Sequence, residues 1–149
     1  MSLKIKPSFS SIISVYQHLP RQTIPNNNWT IVKLDGLDID TLGEFDLINY
    51  HFTPRHEGYY LVHGHIQWFQ PVAATNLRLN IEVNGVYISD NHTVGNVLLT
   101  TECNVTSIVH LTPNNALCLR AFQVSGFPLD LWVVLGVKAE VHLDIVKVG

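Results

Sequence analysis

The sequence predicts an all-β protein built as a two-sheet antiparallel sandwich or a jelly roll. Apolar residues recur at the two-residue period of a strand, and helical periodicity is nearly absent. Turn-forming residues separate these runs at short spacing, which is typical of sandwiches. The 149 residues suffice for one domain with its own core. We therefore predict a single domain over residues 1–149.

Strand-like segments follow one another along the chain, and each is justified by β-branched residues or by apolar–polar alternation. In chain order they are Trp29–Leu34, Tyr59–Phe69, Leu77–Val83, Val105–Leu111, Leu117–Val124, Leu131–Val134 and Val141–Val148. Asn84-Gly85 supplies a two-residue hairpin turn after the third segment, because both residues tolerate positive φ. Residues 1–14 are predicted to be a docking arm or an additional strand.

The composition excludes several classes of protein and partner. Hydrophobic residues make up 46% of the chain and charged residues only 14%, which suggests that some surface is hidden between subunits. The net charge is −3 and there is no basic run, so nucleic acid is not expected as a partner. No apolar run is long enough to cross a membrane, and the first residues lack the apolar core of a signal peptide.

The two cysteines, Cys103 and Cys118, are predicted to be free, partly buried thiols. If the segments around them form a hairpin that turns near Pro113-Asn114-Asn115, Cys118 lies opposite roughly His110. Cys103 is then too far along the strand for a direct disulfide.

The segment from residue 34 to residue 64 carries a spaced pattern of aromatic, acidic and glycine residues. Its positions are Leu34, Asp40, Phe45, Phe52, Gly58, Tyr60, Val62 and Gly64. This pattern resembles the signature of the globular head of complement's first component, q subcomponent, a family that shares its jelly-roll fold with tumour necrosis factor. Leu34 and Val62 replace phenylalanines of that signature. Gly64 departs from it, and we expect a gap where an aromatic ring would lie.

The resemblance implies a tumour necrosis factor-like jelly roll that forms a compact homotrimer, since the corresponding sheet of the family packs around a threefold axis. Alternation along the long strand would turn Tyr60, Val62, Gly64, Ile66 and Trp68 towards the interior. Tyr59, Leu61, His63, His65 and Gln67 would then face outward and form the trimer interface.

His63 and His65 would project to the same side of the strand, about 6.5–7 Å apart. Neutral, hydrogen-bonded interface side chains are the preferred interpretation. Two alternatives remain open: a pH-sensitive contact, and a ring of imidazoles around a bound ion. We predict no metal and no cofactor, with His63 and His65 as the weak metal candidates. The remaining histidines, His142 among them, are assigned no role.

Two further groups of residues are candidates for binding sites. The aspartates Asp35, Asp38 and Asp40 do not match a calcium loop, and they are interpreted as a turn-forming acidic loop in which Asp40 ties the turn. The aromatic residues Trp68, Phe69, Phe122, Phe127 and Trp132 could include a sugar-stacking platform, but packing in the core and interface is preferred.

These observations predict a non-enzymatic trimeric structural or interaction protein, because no catalytic motif is present. A virion or phage surface decoration protein, or a fibre or tail tip, is favoured, with capsid or tail proteins as partners. The alternative is a ligand-binding head for a glycan or protein receptor, with Gln70–Asn76, Ser89–Asn96 and Ser125–Asp130 as its variable loops. A secreted, cytokine-like signal is a minor third possibility. We expect location on a virion or an extracellular surface, or in the cytoplasm at synthesis.

Overall fold

The structure is a computed structural model that describes residues 10–18, 20–69, 71, 74–95, 100–134 and 140–149. Within these ranges the chain forms β-strands and no helix, so the all-β prediction is confirmed. The strands are β1 (Ile12–Tyr16), β2 (Thr23–Ile24), β3 (Thr30–Ile31), β4 (Gly36–Asp40), β5 (Phe45–Asp46), β6 (His51–Phe52), β7 (Gly58–Phe69), β8 (Asn76–Val83), β9 (Val86–Thr93), β10 (Thr100–Leu111), β11 (Leu117–Val124), β12 (Leu129–Asp130) and β13 (His142–Lys147).

The strands form two main antiparallel sheets. Sheet 1 has the order β10-β7-β13-β1-β4, and sheet 2 has the order β5-β6-β11-β8-β9, with β3 also paired to β11. Strands β2 and β12 form a small third sheet. Most neighbours are distant in sequence, as the crossovers of a jelly roll require. Of the N-terminal segment 1–14, residues 12–14 lie in β1 and residues 1–9 lie outside the described residues.

The core lies between the two sheets. Strand β7 turns every second residue inward, and Tyr60, Val62, Ile66 and Trp68 are fully buried. Sheet 2 contributes buried apolar side chains from β8 and β11, namely Leu77, Leu79, Ile81, Leu117, Leu119 and Ala121. The predicted alternation along the long strand is therefore confirmed.

Most residues of the spaced pattern serve this core. Leu34 and Phe52 are fully buried, and the Phe52 ring packs edge-on to Tyr60 with centroids 5.5 Å apart. Phe45 is partly buried against the same cluster. Asp40 ties a turn as predicted, because its carboxylate accepts the backbone N–H groups of Glu44 (2.9 Å) and Phe45 (3.0 Å).

The expected gap at Gly64 is absent. A Cβ atom at this position would lie 2.7 Å and 2.9 Å from the two methyl carbons of Leu119, which belongs to the opposite sheet and is fully buried. Leu119 therefore occupies the space where the resemblance predicts an aromatic ring. The prediction of a gap was wrong because the partner across the sandwich cannot be identified from the strand alone.

The polar turn at Thr112–Asn115 does not close a hairpin. Strand β10 pairs with β7 in sheet 1, whereas β11 pairs with β8 in sheet 2, so the turn crosses between sheets. Cys118 lies opposite Glu82, not His110. Both cysteines are nevertheless free, as predicted, and they are buried more completely than expected.

Other local predictions need correction. The strand expected at Trp29–Leu34 covers only Thr30–Ile31, and Leu131–Val134 holds isolated bridges after the short strand β12. The acidic stretch is not a loop, because Gly36–Asp40 forms the edge strand of sheet 1. The hairpin turn was predicted correctly: Asn84 and Gly85 have φ values of 50° and 83°.

Candidate interaction surfaces

We call the surface of sheet 1 that points away from the core the outer face. Along β7 its side chains are half-buried or exposed. It includes the outward side chains of β7 and of its neighbours β10 and β13. Tyr59 and Leu61 are exposed, while His63, His65 and Gln67 are half-buried. These are the five residues predicted for the trimer interface, and their contact with other copies stays a prediction.

One end of the outer face is apolar. Ile108 on β10 and Val146 on β13 lie on either side of Leu61, and the three form a row across the strands. Tyr59 and Val148 continue this apolar end, with 55% and 54% of their surfaces exposed. Ile108 is 65% exposed. A contiguous exposed apolar patch of this kind is typical of an interaction surface.

The other end of the outer face carries a histidine cluster, which consists of His63, His65 and His142. His142 lies opposite His65 in the register, and their rings stack with centroids 5.3 Å apart. The His63 and His142 rings are 5.7 Å apart. Asp144 lies opposite His63 and places its carboxylate 3.0 Å from the Nδ1 atom of His142.

His142 was missed by sequence reasoning. The alternation of apolar and polar residues in VHLDIVKV predicts that the His142 side chain points outward. The side chains that it contacts depend on the pairing of β13 with β7, which the sequence does not reveal. Burial lowers the pKa of His63 from its usual 6.5, and repulsion from protonated His142 and His65 lowers it further, while Asp144 opposes these effects. The cluster therefore favours neutral His63 in the folded chain.

The two weak metal candidates make local hydrogen bonds. His63 Nδ1 lies 2.7 Å from the Thr106 hydroxyl, and His65 Nδ1 lies 2.9 Å from the Glu140 carbonyl oxygen. In the part of the chain that the structure describes, no group of three or more His, Cys, Asp or Glu side chains is arranged to hold a metal ion. A ring of imidazoles around an ion shared between copies of the outer face stays an alternative to the prediction of no metal.

A second apolar surface lies on the edge strand of sheet 2. Val86, Tyr87 and Ile88 of β9 are 65%, 63% and 43% exposed. An exposed apolar edge strand favours association with another chain unless it is covered. This surface is distinct from the outer face, which belongs to sheet 1.

A polar pocket of about 280 Å³ lies at the end of β1, beside the start of β4. Its lining residues are Gln17, His18, Pro20, Arg21, Gln22, Lys33, Asp35 and Tyr50. Asp35 is engaged locally, because its Oδ1 atom accepts the His18 backbone N–H at 2.9 Å and lies 3.7 Å from the ring nitrogen Nδ1. Tyr50 has a positive φ of 63°, which is unusual for a bulky residue.

A buried amide network forms one wall of this polar pocket. Gln17 donates from Nε2 to Gln22 Oε1 (2.9 Å) and to the Lys33 carbonyl oxygen (3.1 Å). Gln22 in turn donates to the Ile31 carbonyl oxygen and accepts the Lys33 backbone N–H. These partners fix the orientation of both amides. Gln17 is only 3% exposed, and its Oε1 atom accepts no hydrogen bond from the described residues.

An aromatic pocket of about 270 Å³ lies next to the small third sheet. It is lined by Thr23, Phe69, Pro128, Leu129 and Asp130, and the Thr23 hydroxyl donates to Asp130 Oδ1 at 2.6 Å. The Phe69 ring stacks on Trp132 with centroids 4.8 Å apart.

Arg21 joins the two pockets. Its guanidinium carbon lies 4.3 Å from the centre of the Phe69 ring and 4.1 Å from that of Trp132. Arg21 lines the polar pocket and Phe69 lines the aromatic pocket, so the two pockets meet at this cation–π contact.

The predicted aromatic group and variable loops are only partly brought together. Trp68 is core, Phe122 packs on Trp29, and Phe127 is exposed, while Phe69 and Trp132 form the stack. Of the predicted loops, Ser125–Asp130 reaches the aromatic pocket. Ser89–Thr93 belongs to strand β9, and residues 70, 72–73 and 96 lie outside the described residues.

The fold is similar to several solved structures. It matches Eiger, a tumour necrosis factor from S. frugiperda, with a TM-score of 0.71 and 10% identity over 94% of this chain and 93% of that chain. It matches murine APRIL with a TM-score of 0.71 and 10% identity, over 93% and 99% of the two chains. It matches the globular domain of zebrafish complement 1qA protein with a TM-score of 0.65 and 13% identity, over 93% and 95%.

No family model matches the chain, and no curated protein matches it. The structural matches nevertheless cover nearly the whole chain. The chain therefore has the jelly-roll fold shared by complement q-like and tumour necrosis factor-like domains, as the spaced pattern predicted. Among the described residues, no helix is long and apolar enough to cross a membrane.

Proposed function

We propose that this protein is a non-enzymatic interaction module that acts as a homotrimer. The observation that carries the proposal is the apolar end of the outer face, where Tyr59, Leu61, Ile108, Val146 and Val148 are exposed side by side. Burying a few hundred square ångströms there at about 25 cal/mol per Å² contributes several kcal/mol per subunit. Association costs are subtracted from this gain.

The outer face and the edge strand β9 are two different apolar surfaces on one chain, and together they favour assembly of three copies into a closed ring. In this arrangement the outer face of one copy packs against the edge strand β9 of the next, through Val86, Tyr87 and Ile88. Such a contact is heterologous, and a rotation of one third of a turn closes it. Closure also covers the exposed edge of sheet 2, which otherwise favours uncontrolled pairing.

The finer proposal is a structural role on the exterior of a virion or phage, as a decoration protein or a fibre or tail tip. A closed trimer of jelly rolls suits that setting because its sheet edges and apolar faces are covered, which stabilises the folded state. Mass spectrometry of purified particles from the source culture tests this role. Absence of the protein from particles that carry their other surface proteins would refute it.

The trimer is tested by native mass measurement on the intact chain and on two matched variants. Ile108→Asp places a charge in the apolar end, whereas Ile48→Asp places one on an 81% exposed side chain in the turn between β5 and β6. An unpaired buried charge costs about 3–5 kcal/mol, so Ile108→Asp is expected to weaken assembly at least about 100-fold. Ile48→Asp is the control and is expected to remain trimeric. A monomeric wild-type chain, or equal behaviour of the two variants, contradicts the proposal.

A second candidate function is supported by the two pockets that meet at Arg21. In this function the module is a ligand-binding head for a surface glycan or protein receptor. A glycan-array screen separates the candidates, because a purely structural particle protein is expected to show no saturable binding.

A further inference from the structure

We propose that the polar and aromatic pockets form one groove that binds an acidic carbohydrate. The sugar carboxylate is held by Arg21 and Lys33 in the polar pocket, and a neighbouring sugar ring lies against Phe69 in the aromatic pocket. This inference rests on the ligand-binding function proposed above and assigns it a site and a class of ligand.

The first support is the buried amide network in the wall of the polar pocket, in which Gln17 Oε1 accepts no hydrogen bond from the described residues. Both protons of its Nε2 atom are directed to acceptors, Gln22 Oε1 and the Lys33 carbonyl oxygen, so the amide cannot be reversed without losing both hydrogen bonds. Its Oε1 atom is therefore an acceptor fixed in place and removed from solvent. The network therefore holds this wall of the polar pocket in one arrangement before a ligand binds, so less conformational freedom is lost on binding.

The second support is charge. Arg21 and Lys33 both line the polar pocket, and neither makes an ion pair with any of the described acidic residues. The carboxylate in the lining of this pocket, Asp35, is engaged by His18. Two available cations beside an engaged carboxylate favour an anionic group, and guanidinium binds a planar carboxylate with two parallel hydrogen bonds.

The third support is the way in which Arg21 is held. The Arg21 guanidinium carbon lies 4.3 Å from the centre of the Phe69 ring and 4.1 Å from that of Trp132, and these contacts restrict the side chain to one position beside the polar pocket. The rings thus preorganise the cation, and less conformational freedom is lost when a ligand binds. The positive φ of Tyr50 is consistent with such a site, because strained backbone often occurs where a ligand is clamped.

The size and lining of the aromatic pocket favour a sugar. Small-molecule sites begin near about 300 Å³, so each pocket suits roughly one ring and the pair suits a disaccharide. Phe69, Pro128 and Leu129 give an apolar wall, while Asp130 and Thr23 offer polar atoms at its edge. This combination matches a ring with apolar C–H faces and hydroxyl groups around its rim.

An acidic peptide fits the polar pocket less well. Asp35 and Asp130 each have one carboxylate oxygen bound by a neighbour, His18 and Thr23, and their second oxygens require further donors next to the carboxylate of the ligand. A uronic acid has one hydroxyl on most of its ring carbons, whereas an extended peptide offers one N–H per residue. The set of acceptors therefore favours the carbohydrate.

The experiment is an NMR titration of the intact protein with two disaccharides. One joins glucuronate to N-acetylglucosamine, and the other is the neutral disaccharide of N-acetylglucosamine. We expect saturable shifts at Gln17, Arg21 and Phe69 with the acidic disaccharide, and at least about tenfold weaker binding of the neutral one.

Matched variants complete the test. Arg21→Met keeps an unbranched side chain but removes the guanidinium and its charge, and is expected to weaken binding of the acidic disaccharide at least about tenfold. Arg55→Met, at an exposed arginine outside both pockets, is the control and is expected to bind normally. The side-chain amide signals of Gln17 and Gln22 report whether each variant keeps the folded network.

Several results would overturn this inference. They are no saturable shift with the acidic disaccharide, equal binding of the two disaccharides, or equal loss in Arg21→Met and Arg55→Met. Tighter binding of N-acetylglutamate than of the acidic disaccharide would assign the groove to acidic peptides instead. Saturable glycan binding that is insensitive to Arg21→Met would support the ligand-binding function and refute only this site. A native trimer that does not bind glucuronate would refute this site and still support the proposed homotrimer.

Discussion

Packing at Gly64 gives a sharp test of the fold. The substitution Gly64→Ala adds one methyl group at a point 2.7 Å and 2.9 Å from the two methyl carbons of Leu119 and 3.4 Å from its Cγ atom. Contacts below 3.0 Å are not tolerated, so Leu119 must move. Leu119 is fully buried and has little room to do so. We expect a loss of about 1–3 kcal/mol in the free energy of unfolding, as is usual for overpacked cores.

The partner substitution tests the cause of that loss. Leu119→Ala alone removes buried methyl groups and is expected to cost about 2–5 kcal/mol. In the double variant the methyl group added at position 64 enters the space vacated by the leucine side chain, so the two losses should not add. The expected coupling is about 1 kcal/mol or more in the stabilising direction.

The assay is urea unfolding of all four proteins at one protein concentration, because assembly makes apparent stability depend on concentration. Strict additivity, or a Gly64→Ala variant as stable as the wild type, would refute the packing argument. The slope of free energy against urea should be the same in the four proteins if only the folded state is affected.

Two further predictions concern titratable groups. Because burial lowers the pKa of His63 below 6.5, the folded chain binds fewer protons there than the unfolded chain. The free energy of unfolding should therefore decline as the pH falls through about 6.5 and level off below the folded pKa of His63. Sedimentation and urea midpoints at pH 8 and pH 5 measure this decline. An unchanged pH dependence in His63→Gln would contradict the assignment to His63. Burial raises the pKa of Cys103 and Cys118 to about 11, so both thiols should react slowly with a thiol reagent at pH 8 in native protein and rapidly in urea. Rapid native labelling would instead indicate that the core opens locally.

The strands and their faces could be predicted from the sequence because they depend on local pattern. Alternation identified which side chains of β7 are buried, and Asn84-Gly85 identified the hairpin turn between β8 and β9 because few residue pairs adopt positive φ at both positions. The spaced pattern of aromatic residues led to the correct fold, which the structural matches support.

The polar turn at Thr112–Asn115 shows where local pattern is insufficient. A short polar turn between two apolar strands is compatible both with a hairpin and with a crossover between sheets. Strand β11 pairs with β8, which lies much earlier in the sequence, instead of with β10. The same limitation concealed His142, whose contact with His65 is set by the register of β13 on β7.

The groove at Arg21 was beyond sequence reasoning for a similar reason. Its parts come from the end of β1, the end of β7 and the segment around β12, which are far apart along the chain. A lone arginine, two aromatic residues and a buried glutamine carry no motif at any fixed spacing.

The sequence by itself determined the all-β class, the inward and outward faces of the long strand, and the residues that build the core. These features follow from steric and hydrophobic preferences that act over a few residues. Only the tertiary structure decided which strands are neighbours, which side chain fills the space above Gly64, and which polar groups share a pocket. Those outcomes depend on pairing between distant segments, where many arrangements satisfy the same local pattern and the packing of the whole core selects one.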